Sequence, residues 1–162
     1  MGKKLLYTCL LVVSCLTLGL YFYPKGDPTP LEQRACAFCD EKILEYQKVY
    51  EDDLAIVLYT HKPIVPCHFL ILPRRHVMRF EELSKEECSQ IFSVIKKVDT
   101  AAAKVFGTSS YFLMQKNGRE VGQTVPHVHF HYLARPTGET SSLSLMLKML
   151  FEPFRKPISS IQ

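Results

Sequence analysis

The first pattern along the chain is an unbroken apolar one. After Lys3 and Lys4, residues Leu5 to Tyr23 carry no charge. At about 1.5 Å rise per residue, a helix of that length reaches roughly 28 Å, enough to cross a hydrocarbon core. The expectation is a signal anchor over residues 1–24, with the membrane as a partner and a membrane-anchored localisation. The two preceding lysines, with none following until Lys25, favour an N-inside orientation. No A-x-A cleavage site follows the run. Two alternatives stay open. Val12-Val13-Ser14-Cys15 resembles a lipobox, although the residues after Cys15 stay apolar, and a removed secretion signal has the same general form. Residues 25–30, KGDPTP, read as a linker because proline ends a helix there. One domain is expected over 31–162.

Beyond the linker the apolar residues alternate between periods of two and of 3.6. Val49-Tyr50 and Leu54 to Tyr59 are strand-like around the turn Glu51-Asp52-Asp53, which predicts a hairpin. His68 to Leu72 is a further strand between Pro66 and Pro73. Ser84-Lys85-Glu86-Glu87 is a capping box. It opens a helix whose apolar positions are Cys88, Ile91, Phe92, Ile95, Val98, Ala102 and Val105, ending at Gly107. Tyr111 to Gln115 and His127 to Ala134 read as two more strands around a glycine-containing loop. Leu143, Met146, Leu147 and Leu150 predict a last short helix before Pro153. The fold class is α+β.

Composition narrows the function. With 47% hydrophobic and 22% charged residues, the chain is not wholly disordered. A net charge of +4 is too small for a nucleic-acid groove, so no nucleic acid polymer is expected as partner. Six cysteines are too few for a disulfide framework. Cys67 and Cys88 look like small buried hydrophobes.

The candidate chemistry lies in Gly122-Gln123-Thr124-Val125-Pro126-His127-Val128-His129-Phe130-His131. On a strand His127, His129 and His131 would share one face at spacings of about 6.6–6.8 Å, with Val128, Phe130 and Tyr132 in the core. Three imidazoles in register are costly in a core unless each nitrogen finds a partner. Two readings survive: the three rings converge on a catalytic zinc, or a neutral imidazole attacks phosphorus. Gly118, Gly122, Gln123 and Thr124 favour phosphorus, because backbone N–H groups and a hydroxyl there can meet phosphate oxygens.

GQTVPHVHFHYL resembles the signature of the histidine triad (HIT) family, H-φ-H-φ-H-φ-φ preceded by G-Q-[ST]-V. Upstream, KVYEDDLAIVLY and KPIVPCHFLILPRRHVMRFEEL are similar to that family's hairpin, ligand strand and entry to a long helix. The resemblance runs from Cys36 to Arg135, about 100 residues. It implies a HIT-like α+β fold with an antiparallel sheet of about five strands and a long helix, commonly as a homodimer. It further implies a hydrolase or nucleotidyl transferase that cleaves at a nucleotide's α-phosphate. His129 would be the nucleophile and His131 would contact the α-phosphate. Gly122, Gln123 and Thr124 would form the phosphate loop, and His68 would orient the nucleophile's ring. The motif wording is closest to the dinucleoside polyphosphate hydrolase (fragile histidine triad) branch. Two ligand positions depart from the family. Thr60 stands where an Asp or Asn usually bonds the ribose, and Lys116 where an Asn or Gln is commoner, with Gln115 or Asn117 as substitutes. Those departures keep a non-catalytic nucleotide-binding module in view.

Cys36-Ala37-Phe38-Cys39 is ambiguous by itself between a metal hook, a redox pair and a disulfide. The resemblance implies a structural zinc completed by His76 and His127, a closed set without a catalytic role, and no catalytic cofactor. A disulfide or free thiols remain open. The lysines place the domain beyond the membrane, whereas nucleotides and reduced thiols belong to the cytoplasmic side, so its orientation stays open.

Overall fold

Five strands build one antiparallel sheet in a computed structural model that describes residues 2–22, 27–107, 110–135, 142–151 and 157. They are β1 (Lys48–Glu51), β2 (Ala55–Tyr59), β3 (Cys67–Pro73), β4 (Tyr111–Gln115) and β5 (Phe130–Ala134), in lateral order β1-β2-β3-β5-β4. Four helices accompany them: α1 (Gly2–Phe22), α2 (Glu41–Gln47), α3 (Lys85–Phe106) and α4 (Ser142–Leu150). The α+β class, the five strands and the long helix agree with the sequence-based expectation.

The β1–β2 hairpin turns where the acidic cluster predicts it. Asp52 Oδ1 accepts from the Leu54 and Ala55 N–H groups, and the Asp52 N–H donates to the Ala55 carbonyl. Strands β2 and β3 are buried along most of their length because both sheet faces are covered. On one face Val57, Ile71 and Tyr132 pack with Ile91, Val94, Ile95 and Ala102 of α3. On the other, Ile56, Leu58, Leu70 and Leu72 pack with Phe38. Leu145 of α4 joins Ile64, Val65 and Leu133. Helix α3 opens on the capping box: Ser84 Oγ accepts from the Glu87 N–H, and Glu87 Oε2 accepts from the Ser84 N–H. It closes at Gly107 in the left-handed region, φ 67°. Its outer side carries exposed Phe92 and Val105, and Cys88 is only half-buried, so the apolar stripe is narrower than expected.

Three expectations are corrected. The N-terminal helix forms, but no helix among the described residues is long and apolar enough to cross a membrane. Hydroxyl side chains recur along it at Tyr7, Thr8, Ser14, Thr17 and Tyr21, and the longest stretch between them, Cys9 to Val13, is five residues. The membrane-anchored localisation is therefore corrected, the membrane partner is not supported, and Cys9 and Cys15 are exposed thiols. The last strand begins at Phe130 instead of His127. The His127 N–H goes to the Val125 carbonyl and the Val128 N–H to the Val77 carbonyl, so these donors are taken outside the sheet. Helix α2 has no counterpart in the sequence-based reading: seven residues give too short a period, though Asp40 caps it by accepting from the Lys42 N–H.

Candidate active site

The three histidines before and on β5 point to three different partners. Pairing of β3 with β5 sets Leu70 opposite His131, and pairing of β4 sets Met114 opposite the same residue. Val128, Phe130 and Tyr132 face the α3 side and are buried. His127, His129 and His131 turn to the opposite face, the alternation that an extended chain requires.

His129 is 5% exposed. Its Nδ1–H donates to the His127 carbonyl at 2.7 Å, and a carbonyl can only accept, so the proton sits on Nδ1. Nε2 then carries a lone pair and takes no hydrogen bond among the described residues. Burial, chiefly, holds the ring's basicity below the usual histidine value, and the Lys116 charge adds to this. The Phe38 ring meets it edge-to-face at 5.1 Å and the His131 ring at 5.0 Å.

A second relay fixes His131. The Ile64 N–H donates to His68 Nδ1 at 3.2 Å, so His68 carries its proton on Nε2. That N–H donates to His131 Nδ1 at 2.9 Å, which leaves the neutral His131 with its proton on Nε2. Burial first, then the His129, His68 and Lys116 charges, hold its pKa down to about 2. His68 thus meets His131 and not the nucleophile candidate it was expected to orient. The two facing rings present complementary nitrogens, one a lone pair on His129 and one an N–H on His131.

The loop before them is held by Gln123, which is 2% exposed. Its Oε1 accepts from the Gly118 N–H, and its Nε2 donates to the carbonyls of Met78 and Val125. Both ends of the amide are spent on shaping the loop. Gly118 and Gly122 adopt φ 119° and 84°, conformations that favour glycine. Lys116 lies across Gly122: a Cβ there would stand 3.5 Å from its Nζ. Asn117 turns the other way, bonding the Phe80 N–H and the Glu81 carboxylate. Thr60 is buried beside His68, its N–H donating to the His68 carbonyl at 3.4 Å.

The cysteines form a separate cluster. Ligand atoms of Cys36, Cys39, His76 and His127 all lie within 4.8 Å of one another. His127 Nδ1 is 3.4 Å from Cys36 Sγ and 3.7 Å from Cys39 Sγ, and His76 Nδ1 is 3.2 Å from Cys39 Sγ. His127 Nε2–H donates to the Pro73 carbonyl at 3.0 Å, so Nδ1 presents its lone pair to the sulfurs. An outer carbonyl that fixes the tautomer of a ligating imidazole is a regular feature of metal sites. Burial holds His127 down to about 4, and burial together with the Cys39 sulfur pushes Cys36 up to about 12. A thiol raised in this way ionises more readily beside a cation, and the donor set fits a metal ion. The sulfurs are free thiols, not a disulfide. With His127 committed here and His131 to His68, the three triad rings do not converge on one metal, which corrects the catalytic-zinc alternative.

Two residues of the site escaped the sequence reading. Phe38, between the two cysteines, reaches the His129 ring. Arg34 lies in the segment ahead of them, and its Nη1 donates to the Thr124 carbonyl. Only the C-x-x-C spacing hinted that this segment returns to the triad.

The HIT domain family model matches residues 41–138. The chain is 35% identical over 104 residues to the asymmetrical bis(5'-nucleosyl)-tetraphosphatase of Schizosaccharomyces pombe, covering 64% of this chain and 57% of that protein. It thus spans little more than half that relative's length. It is 35% identical over 109 residues to an adenosine 5'-monophosphoramidase of the same yeast, covering 65% of this chain and 77% of that one. Among solved structures, a HIT family protein from Bacillus anthracis superposes with TM-score 0.57 at 29% identity, covering 70% of this chain and 89% of that one.

Proposed function

The chain belongs to the HIT domain family, whose model matches more than half of it, and on that premise we propose that it hydrolyses or transfers a nucleotidyl group at the α-phosphate. The relatives' named substrates, a dinucleoside tetraphosphate and an adenosine phosphoramidate, mark the class. The observation that carries this reading is the His129 tautomer, with Nδ1–H on the His127 carbonyl and a lone pair on Nε2.

His129 Nε2 attacks the α-phosphorus, a P–N bond forms, and the bond from phosphorus to the leaving group breaks with its electron pair going to that group, an amine taking up a proton from solvent as it leaves. The ring becomes cationic, and the His127 carbonyl on Nδ1–H stabilises that charge. His131 Nε2–H is placed to donate to an α-phosphate oxygen, and the exposed Thr124 and the N–H groups of the Gly122 loop line the approach. Water then attacks the same phosphorus, and the P–N electrons return to His129. Nucleoside monophosphate leaves, and the water's proton is released to solvent. Histidine suits both steps because it is neutral before attack and a good leaving group after it.

Zinc matches the two thiolates and two imidazoles of Cys36, Cys39, His76 and His127. A zinc ion held by these four ligands would brace the segment that carries Phe38 and would take no part in the transfer. A homodimer is also proposed: β4 is an edge strand, and its Tyr111 and Phe112 are exposed. Light scattering checks it.

His129→Ala should abolish turnover of diadenosine polyphosphates and of adenosine phosphoramidate, with an unchanged circular dichroism spectrum. Undiminished turnover would sink the mechanism. Tight nucleotide binding by the unaltered protein without product over hours would favour a non-catalytic module instead.

A further inference from the structure

Among the described residues Lys116 makes no ion pair with a carboxylate. The sheet register pairs Met114 with His131 and Gln115 with Phe130. Continued one residue beyond the last pair, the same register sets Lys116 opposite His129. Residues opposite each other in antiparallel strands put their side chains on the same face. Lys116 is therefore on the face of His129 and His131, not on the α3 side. Its tail then crosses Gly122, where a Cβ would be 3.8 Å from Cδ and 3.5 Å from Nζ. The missing side chain at Gly122 leaves that path open.

The five ion pairs among the described residues join other side chains. Among the described residues the Lys116 backbone carbonyl accepts from Gln115 Nε2. The ammonium lowers the proton affinity of both triad rings. A half-buried cation whose Nζ lies against the Gly122 loop, on the side of the triad, attracts an anion. The anions that arise during the transfer are the α-phosphate oxygens and the departing group.

We infer that Lys116 is a specificity-determining residue that selects substrates whose leaving group is a polyanion, a nucleoside polyphosphate, over those whose leaving group is an amine. The inference rests on the nucleotidyl-transfer reading and names its substrate class. The α-phosphate is common to both substrates, so an effect on it cancels in their comparison. The leaving group differs: a polyphosphate departs with several negative charges, whereas an amine departs without any. A fixed ammonium near the phosphate loop favours the first selectively.

The test compares the full-length metal-loaded protein with Lys116→Gln and Lys116→Arg. The readout is the ratio of kcat/KM for diadenosine tetraphosphate to that for adenosine phosphoramidate. The charge-assisted contact predicts that Lys116→Gln lowers this ratio about tenfold or more, while Lys116→Arg keeps it within about threefold. Raised salt should shrink the advantage of the unaltered protein. Equal losses on both substrates, or an unaltered ratio, would overturn the inference. If neither substrate is turned over, the transfer reading fails, and Lys116 is judged on binding alone. Displacement of a fluorescent nucleotide then compares ATP with AMP. A preference for ATP that disappears in Lys116→Gln supports the role, and a preference kept by the variant refutes it.

Discussion

Proton placement on single rings decides what this site can do. His131 keeps its neutral form because burial holds its pKa down to about 2, and His68 supplies the N–H that fixes its tautomer. In the unfolded chain the same ring titrates near 6.5. Between those values the unfolded chain binds a proton that the folded chain refuses. Stability from this residue is therefore fully present above about pH 6.5 and is lost as the pH falls below it. The limiting slope is about 1.4 kcal/mol per pH unit, and the lowered basicity of His129 acts in the same direction. Urea midpoints should be level above neutrality and decline from pH 6.5 to pH 5, with a shallower decline in His131→Gln. An identical decline in that variant would locate the proton uptake elsewhere. Glu87 contributes in the same direction, but at lower pH and through its charged form. Its carboxylate closes the α3 cap and takes a two-pronged contact from Arg75 at 2.9 and 2.8 Å, and that contact lowers its pKa.

Between elements, the link that matters is the segment ahead of the cysteines. Arg34, with 12% of its side chain exposed, ties that segment to itself and to the phosphate loop. Its Nε and Nη2 donate to the Thr29 carbonyl at 3.0 and 2.8 Å, and its Nη1 to the Thr124 carbonyl at 3.2 Å. Only a planar, multi-donor group serves these acceptors together, so lysine is no substitute. Arg34→Lys and Arg34→Ala should each cost about 1–3 kcal/mol in urea unfolding. Both should also speed proteolytic cleavage between Asp27 and Arg34. Cleavage at the unaltered rate would show that the link is not holding. The sequence made other elements plain and hid this one. Helix α3 was legible because Ser84, Glu87 and Gly107 mark its ends and its apolar residues recur with one period. The strands from Ala55 to Pro73 were legible because burial on both faces leaves continuous apolar runs. The start of β5 was not, because the His127 and Val128 N–H groups find partners in loops, and hydropathy cannot reveal a hydrogen-bond partner. The His68–His131 contact was hidden for a similar reason. Which of two neighbouring rings His68 meets depends on strand register, and no motif spells that out.

Across the whole molecule, the Cys2His2 cluster and the proposed transfer site share one residue, His127. Its ring joins Cys36, Cys39 and His76, while its carbonyl receives the Nδ1–H of His129. The cluster's other arm carries Phe38, packed on the His129 ring. A metal ion held by the cluster would thus brace the His127 backbone and Phe38, and through them the proposed nucleophile. Loss of a closed Cys2His2 ion removes folding free energy as well as geometry. Cys39→Ser should leave the protein without bound metal by elemental analysis and lower its Tm by several degrees. Its kcat should drop more than its KM rises, because the nucleophile is displaced while Lys116 and Thr124 still hold the substrate. His129→Ala should show the reverse: full metal content and an unchanged melting profile, with no turnover. A Cys39→Ser protein that loses its metal yet keeps its full kcat would mean that the His127 backbone stays in place without the ion, and the proposed coupling through that residue would fail.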